Sequence, residues 1–158
     1  MKTSEQEFEY KPTLSGLKLV TLSNDGVHLY KLKTNDAKTM ESLEQEEGFS
    51  NYPGAEIAKF SPLDGKHLAV VDQAGIHIVD VSSKQEIMTM ERRGIIALEW
   101  SPRGSFVMSC TKCKEGSNNL NLWHAQTGKL LYECEWKNSA KEGPQSIKFD
   151  SEERFCAR

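Results

Sequence analysis

No run of apolar residues in this chain is long enough to cross a bilayer. The richest, His67 to Val81, is interrupted by Asp72, Gln73, His77 and Asp80, and a spanning helix needs roughly 20 apolar residues. No membrane partner is therefore expected. The opening stretch Met1–Lys11 carries Lys2, Glu5, Glu7, Glu9 and Lys11 and lacks the apolar h-region of a secretory signal. An excess of one charge is lacking too. A net charge of −3 gives no overall attraction to nucleic acid, so any such role must rest on a local basic face. Cysteine is sparse, with Cys110, Cys113, Cys134 and Cys156; in a chain with no export signal these read as reduced thiols, and a cytoplasmic location is expected.

Motifs for chemistry are also scarce. Cys110-Thr-Lys-Cys113 has the spacing of half a zinc site, but a closed site needs two further ligands, and Cys134, Cys156 and His124 are isolated. Neither Gly-x-x-x-x-Gly-Lys-Ser/Thr nor Gly-x-Gly-x-x-Gly occurs, so nucleotide binding has no warrant. Ser61 and Ser101 lie in Ser-Pro turns, where a hydroxyl caps the turn, and no triad can be assembled around them. His28, His67, His77 and His124 fall in or beside strands, where alternation is expected to turn them outward. The expectation is a non-enzymatic protein without catalytic residues, metal or cofactor.

What the chain does have is a repeat. Ile57-Ala-Lys-Phe-Ser-Pro-Leu-Asp-Gly returns as Ile96-Ala-Leu-Glu-Trp-Ser-Pro-Arg-Gly, which sets Phe60 against Trp100 at a spacing of 40 residues. A third copy, Ser146-Ile-Lys-Phe-Asp-Ser-Glu-Glu-Arg-Phe155, sets Phe149 49 residues beyond Trp100. Such periods are those of propeller blades. The best-marked unit gives strand a at Ile95–Trp100, strand b at Ser105–Cys110, strand c at Asn119–His124 and strand d at Leu130–Glu135. Ser-Pro-Arg-Gly, the polar loop Thr111–Asn118 and Gln126–Lys129 join them. The unit from Ile57 repeats the scheme, with strand c at Gly75–Val81. Leu17–Leu22 and Val27–Leu32 read as strands b and c of an earlier blade, and Arg154–Arg158 as strand b of a later one. The recurring Phe60, Trp100 and Phe149 read as blade-to-blade packing.

The fold expected is all-β: a partial WD-repeat-like β-propeller of about three and a half four-stranded antiparallel blades, not closed in this chain. It is placed at residues 15–158, with 1–14 a disordered lead and an acidic, solvated loop at about 33–55 that holds at most one short strand. Since closed rings take four to eight blades, the chain is read as part of a larger propeller.

The stretch Asn119-Leu-Asn-Leu-Trp-His-Ala-Gln-Thr-Gly-Lys-Leu-Leu and the turn Asp150-Ser-Glu-Glu leading into Cys156-Ala-Arg158 resemble the N-terminal propeller of the eukaryotic translation initiation factor 2A family. His124 stands after Trp123 where a standard WD repeat has Asp, so the hydrogen-bonded tetrad of such repeats is not expected. The resemblance implies a cytoplasmic translation factor associated with the small ribosomal subunit, initiator methionyl-tRNA and mRNA, with other initiation factors as further partners. Two alternatives stand beside it: a general WD-repeat adaptor for protein complexes, and the related propeller of initiation factor 3 subunit b.

Topology then sorts the charges. In a propeller the b–c and d–a connections emerge on one face, which would gather Arg92, Arg93, Lys112, Lys114, Lys137 and Lys141. Such a cluster could neutralise RNA phosphates without reading bases. Glu91, Glu115 and Glu142 lie among them, as on an ordinary mixed surface.

Overall fold

The computed structural model describes residues 8–13, 16–34, 40–49, 51–137 and 147–157, and every regular element among them is a strand. Three antiparallel four-stranded sheets follow one another. The first runs β1 (Phe8–Thr13), β2 (Gly16–Ser23), β3 (Gly26–Thr34), β4 (Met40–Gln45); the second β5 (Ile57–Phe60), β6 (His67–Val71), β7 (Gly75–Asp80), β8 (Gln85–Glu91). The third runs β9 (Ile95–Trp100), β10 (Phe106–Thr111), β11 (Leu120–His124), β12 (Leu130–Cys134), and a hairpin of β13 (Lys148–Phe149) and β14 (Cys156–Ala157) begins a fourth. Every strand pairs only with its sequence neighbours, so each sheet is a meander, and β1, β5 and β9 lie side by side as the inner strands. This is the expected three and a half units.

Part of the stretch expected to be a disordered lead is thus a strand. Phe8 pairs with Thr21 and Thr13 with Gly16, because β2 offers a free hydrogen-bonding edge that the flat local sequence signal does not reveal. The acidic stretch holds one strand, β4, but its end is not solvated surface. Tyr52 is 8% exposed and belongs to the core between the first two sheets.

Alternation explains why the second sheet is apolar on both sides. Leu68 and Val70 of β6 and Val79 of β7 face the first sheet, meeting Val20, Val27 and Leu29. Ala69, Val71, Ile76 and Ile78 face the third, meeting Leu98, Val107 and Trp123. A strand buried on both faces reads as a continuous apolar run, as residues 68–71 of β6 do. The outer strands are open to solvent, and β12 leaves Leu131 and Tyr132 exposed. The repeating aromatics do join neighbouring units: Phe60 is buried, Trp100 donates its indole N–H to the Lys59 carbonyl at 2.9 Å, and Phe149 stacks on Phe106.

The a–b turns share one device. Ser61 and Ser101 accept the N–H of the first residue of strand b, His67 at 3.2 Å and Phe106 at 2.9 Å, and Asp150 accepts that of Phe155, the residue before β14, at 2.8 Å. The turn after β5 is one residue longer and contains its own carboxylate, Asp64, which accepts the Lys66 N–H at 3.0 Å. The shorter turn after β9 borrows one from the next unit, since Glu153 accepts the Arg103 N–H. Burial disfavours the Glu153 charge, yet the Ser101 and Ser105 hydroxyls and the Arg103 and Ser105 N–H groups outweigh it and hold the carboxyl below its ordinary value. The Arg103 guanidinium meanwhile donates to the Ser151 carbonyl at 3.0 Å and pairs with Glu152. In this way the acidic turn fastens the β13–β14 hairpin to the third sheet.

Candidate functional site

The b–c loop of the third sheet, Lys112–Asn118, is tied down at its base by the residue that follows it. Asn119 is fully buried. Its amide nitrogen donates to the carbonyls of Thr111 and Trp136 at 3.4 and 3.2 Å, and its oxygen accepts the Trp136 N–H at 2.6 Å. Within the loop, the Ser117 N–H and hydroxyl both reach the Lys114 carbonyl, at 3.0 and 2.7 Å. The Gly116 N–H reaches the Glu135 carboxylate at 3.4 Å.

A second tie comes from the connection between β8 and β9. Arg92 Nη2 donates to the Asn118 carbonyl at 2.8 Å, while Nη1 lies 3.7 Å from Glu133 on β12. Both neighbouring d–a connections therefore meet this one b–c loop. Lys112, Cys113, Lys114 and Glu115 form an exposed crest, and Lys137 is exposed beside it, one residue after Trp136. Of the six cations singled out by topology, Lys112 and Lys114 stand on this loop, Arg92 grips its end, and Lys137 follows the Trp136 that Asn119 holds. Arg93 is exposed but borders two surface depressions of about 530 and 500 Å³ in the company of Glu56, Asp72 and Glu91. Lys141 lies outside the described residues.

The thiols of the Cys-x-x-Cys pair are separated by this arrangement: Cys110 is buried inside β10, and Cys113 is exposed on the crest. Ser61 and Ser101 are spent on their turns.

The expected outward placement of the histidines fails at His77, which is 9% exposed and packed between the first two sheets. Its ring lies 5.1 Å from that of Tyr52, and Nδ1 is 3.0 Å from Glu86, which also accepts the Tyr52 hydroxyl at 3.1 Å. Asp72 lies 2.9 Å from Nε2, outside hydrogen-bond alignment. Burial opposes the charges on Asp72 and Glu86. For Asp72 the His77 ring and the Ala74 and Gly75 N–H groups prevail and keep the carboxyl below its ordinary value. For Glu86 the Thr89 hydroxyl, His77 and Tyr52 do the same.

Register shows that this position repeats. His28 opposes Thr21, His77 opposes Val70 and Asn121 opposes Ser109, each two residues after Gly26, Gly75 or Asn119. The signal was present in the sequence as Gly-Val-His-Leu, Gly-Ile-His-Ile and Asn-Leu-Asn-Leu, a short internal repeat within strand c. His28 reaches Ser23 at 2.9 Å and Gln45 at 3.1 Å, so it too joins its b–c turn to its outer strand. Where a full tetrad was not expected, one bond stands between strands, from the Trp123 indole to the Ser109 hydroxyl at 2.9 Å.

Consecutive four-stranded meanders with adjoining inner strands make this chain an open run of WD-repeat-like β-propeller blades. It matches the family model described as eukaryotic translation initiation factor eIF2A over residues 27–140, and it belongs to that family. Among solved structures, a crystal structure of the eukaryotic initiation factor is similar with a TM-score of 0.64 at 19% identity, over 99% of this chain and 35% of that one. The WD40 domain of Toxoplasma gondii coronin is similar at 0.60 and 15%, over 80% and 32%. The tricorn protease is similar at 0.51 and 18%, over 72% and 11%. At such identities the likeness speaks for the fold. The chain spans about a third of the first two structures and less of the third. No curated protein matches the chain by sequence.

Proposed function

We propose that this chain is a propeller portion of a translation initiation factor, a non-catalytic scaffold that docks on the small ribosomal subunit where initiator methionyl-tRNA and mRNA are recruited. It works in the cytoplasm, alongside other initiation factors. The observation that carries the reading is the family match over residues 27–140. The b–c and d–a face supplies a means. Lys112, Lys114 and Lys137 stand exposed around a tied loop, and lysines that neutralise phosphates bind without base preference and release as salt rises.

The test is co-sedimentation of the full chain with purified small subunits, combined with alkylation of its exposed thiols. Binding is expected at low salt and lost at moderate salt, with Cys113 on the crest protected. Cys156, next to the opposite turn, should react at its free rate. Reversing Lys112, Lys114 and Lys137 to Glu should abolish binding. Equal sedimentation of the reversed and natural chains would overturn the proposal in favour of an adaptor whose partners are proteins.

A further inference from the structure

Arg92 was grouped with the phosphate-facing cations by topology, but its guanidinium is already committed. One nitrogen holds the Asn118 carbonyl at 2.8 Å, another faces Glu133 at 3.7 Å, and the side chain is 29% exposed. Among the described residues, no ion pair engages Lys112, Lys114 or Lys137. The cations around this loop are thus of two kinds: Arg92 is spent on the frame, and Lys112, Lys114 and Lys137 face solvent.

The frame has a further member. Asn119 uses both ends of its amide to bind the loop base to the start of the following connection, through the Trp136 N–H and carbonyl. Arg92 holds the other shoulder of the loop, from the preceding connection. Ser117 also folds back on the Lys114 carbonyl, so the loop backbone is held at both ends and within. A ligand that meets a pre-ordered loop is spared part of the entropy of ordering it.

We infer that Arg92 is a positioning residue for an RNA-phosphate-binding crest formed by Lys112 and Lys114 with Lys137, and does not itself contact phosphate. This inference rests on the functional reading above. It makes a distinction that affinity alone cannot. Each phosphate contact adds to the slope of log affinity against log salt, whereas a residue that only orders the loop changes affinity at every salt alike.

The experiment titrates the full chain against purified small ribosomal subunits across a fourfold rise in salt. With three phosphate contacts the natural chain should lose roughly 20- to 40-fold in affinity over that range, and Lys112→Gln or Lys114→Gln only about 7- to 12-fold. Arg92→Gln should bind more weakly at every salt while keeping the natural chain's slope. Arg92→Lys, which keeps the charge but not the two-pronged grip, should keep the slope and lose part of the affinity. Thermal melts of each variant exclude unfolding as the cause, and Arg92→Lys is the milder substitution should Arg92→Gln melt early.

A shallower slope for Arg92→Gln, matching that of the lysine variants, would overturn the inference and leave the functional reading standing. So would an Arg92→Gln affinity equal to that of the natural chain. Salt-independent or absent binding by the natural chain would remove the functional reading, and the inference with it.

Discussion

Glu153 offers the sharpest test of how consecutive units are held together. Its carboxylate sits in the turn of the preceding unit, accepting the Arg103 N–H, with the Ser101 and Ser105 hydroxyls and the Ser105 N–H contributing. Glu153→Gln keeps the shape and removes the charge. A hydrogen bond to a charged group contributes about 1.5–3 kcal/mol. The site is only partly buried, so solvent screening reduces the expected loss to about 1–2 kcal/mol. The β13–β14 hairpin is paired over only two residues on each strand. That loss should therefore appear first as local opening, speeding hydrogen exchange of the hairpin amides by roughly 5- to 30-fold while β6 and β7 are unaffected.

The pH dependence has a definite sign. The carboxyl is held below its ordinary value of 4.5, so its contribution is present above that value and is lost as the pH falls through the lower, folded one. Acidification should loosen the hairpin of the natural chain more than that of the variant. The remaining acid sensitivity of the variant belongs to Asp150, whose carboxyl is also held low, chiefly by the Phe155 N–H. Identical exchange in both proteins at neutral pH would refute the reasoning.

Two further outcomes follow from the strand c position. Asn121 is fully buried, and neither atom of its amide has a hydrogen-bond partner among the described residues; Asn121→Leu should therefore stabilise the chain by about 1–3 kcal/mol, and a lower urea midpoint would contradict this. Gly75 has φ +158°, and a Cβ there would lie 2.2 Å from the Met90 carbonyl oxygen; Gly75→Ala should lower the melting temperature by several degrees, equivalent to more than about 1 kcal/mol, and an unchanged melt would show that the β7–β8 approach can relax.

The strand pattern was legible because alternation and turn chemistry are local. Ile95–Trp100 and the Ser-Pro turns follow from side chains that neighbour one another in sequence. Which loops share a face was legible, but not which of their cations are already paired, because topology fixes the first and not the second. Arg92 and Arg93 adjoin in sequence and both border the depression beside Glu91, yet Arg92 also grips Asn118 while Arg93 lies by Glu56 and Asp72 in a second depression. The buried role of Tyr52 was invisible for a similar reason. Its partners His77 and Glu86 come from another sheet, and the surrounding glutamates give the stretch the composition of a solvated loop.

By itself, then, the sequence determined a repeating all-β chain and the faces from which its loops emerge, because a period of two along a strand and a period near 40 between units need no knowledge of contacts. Only the tertiary structure decided that β1 pairs with β2, that a histidine lies between two carboxylates under Tyr52, and that one unit's glutamate completes the previous unit's turn. Hydrogen bonds and ion pairs act over a few ångströms in space, and the groups that meet at those distances here stand up to 50 residues apart in the chain.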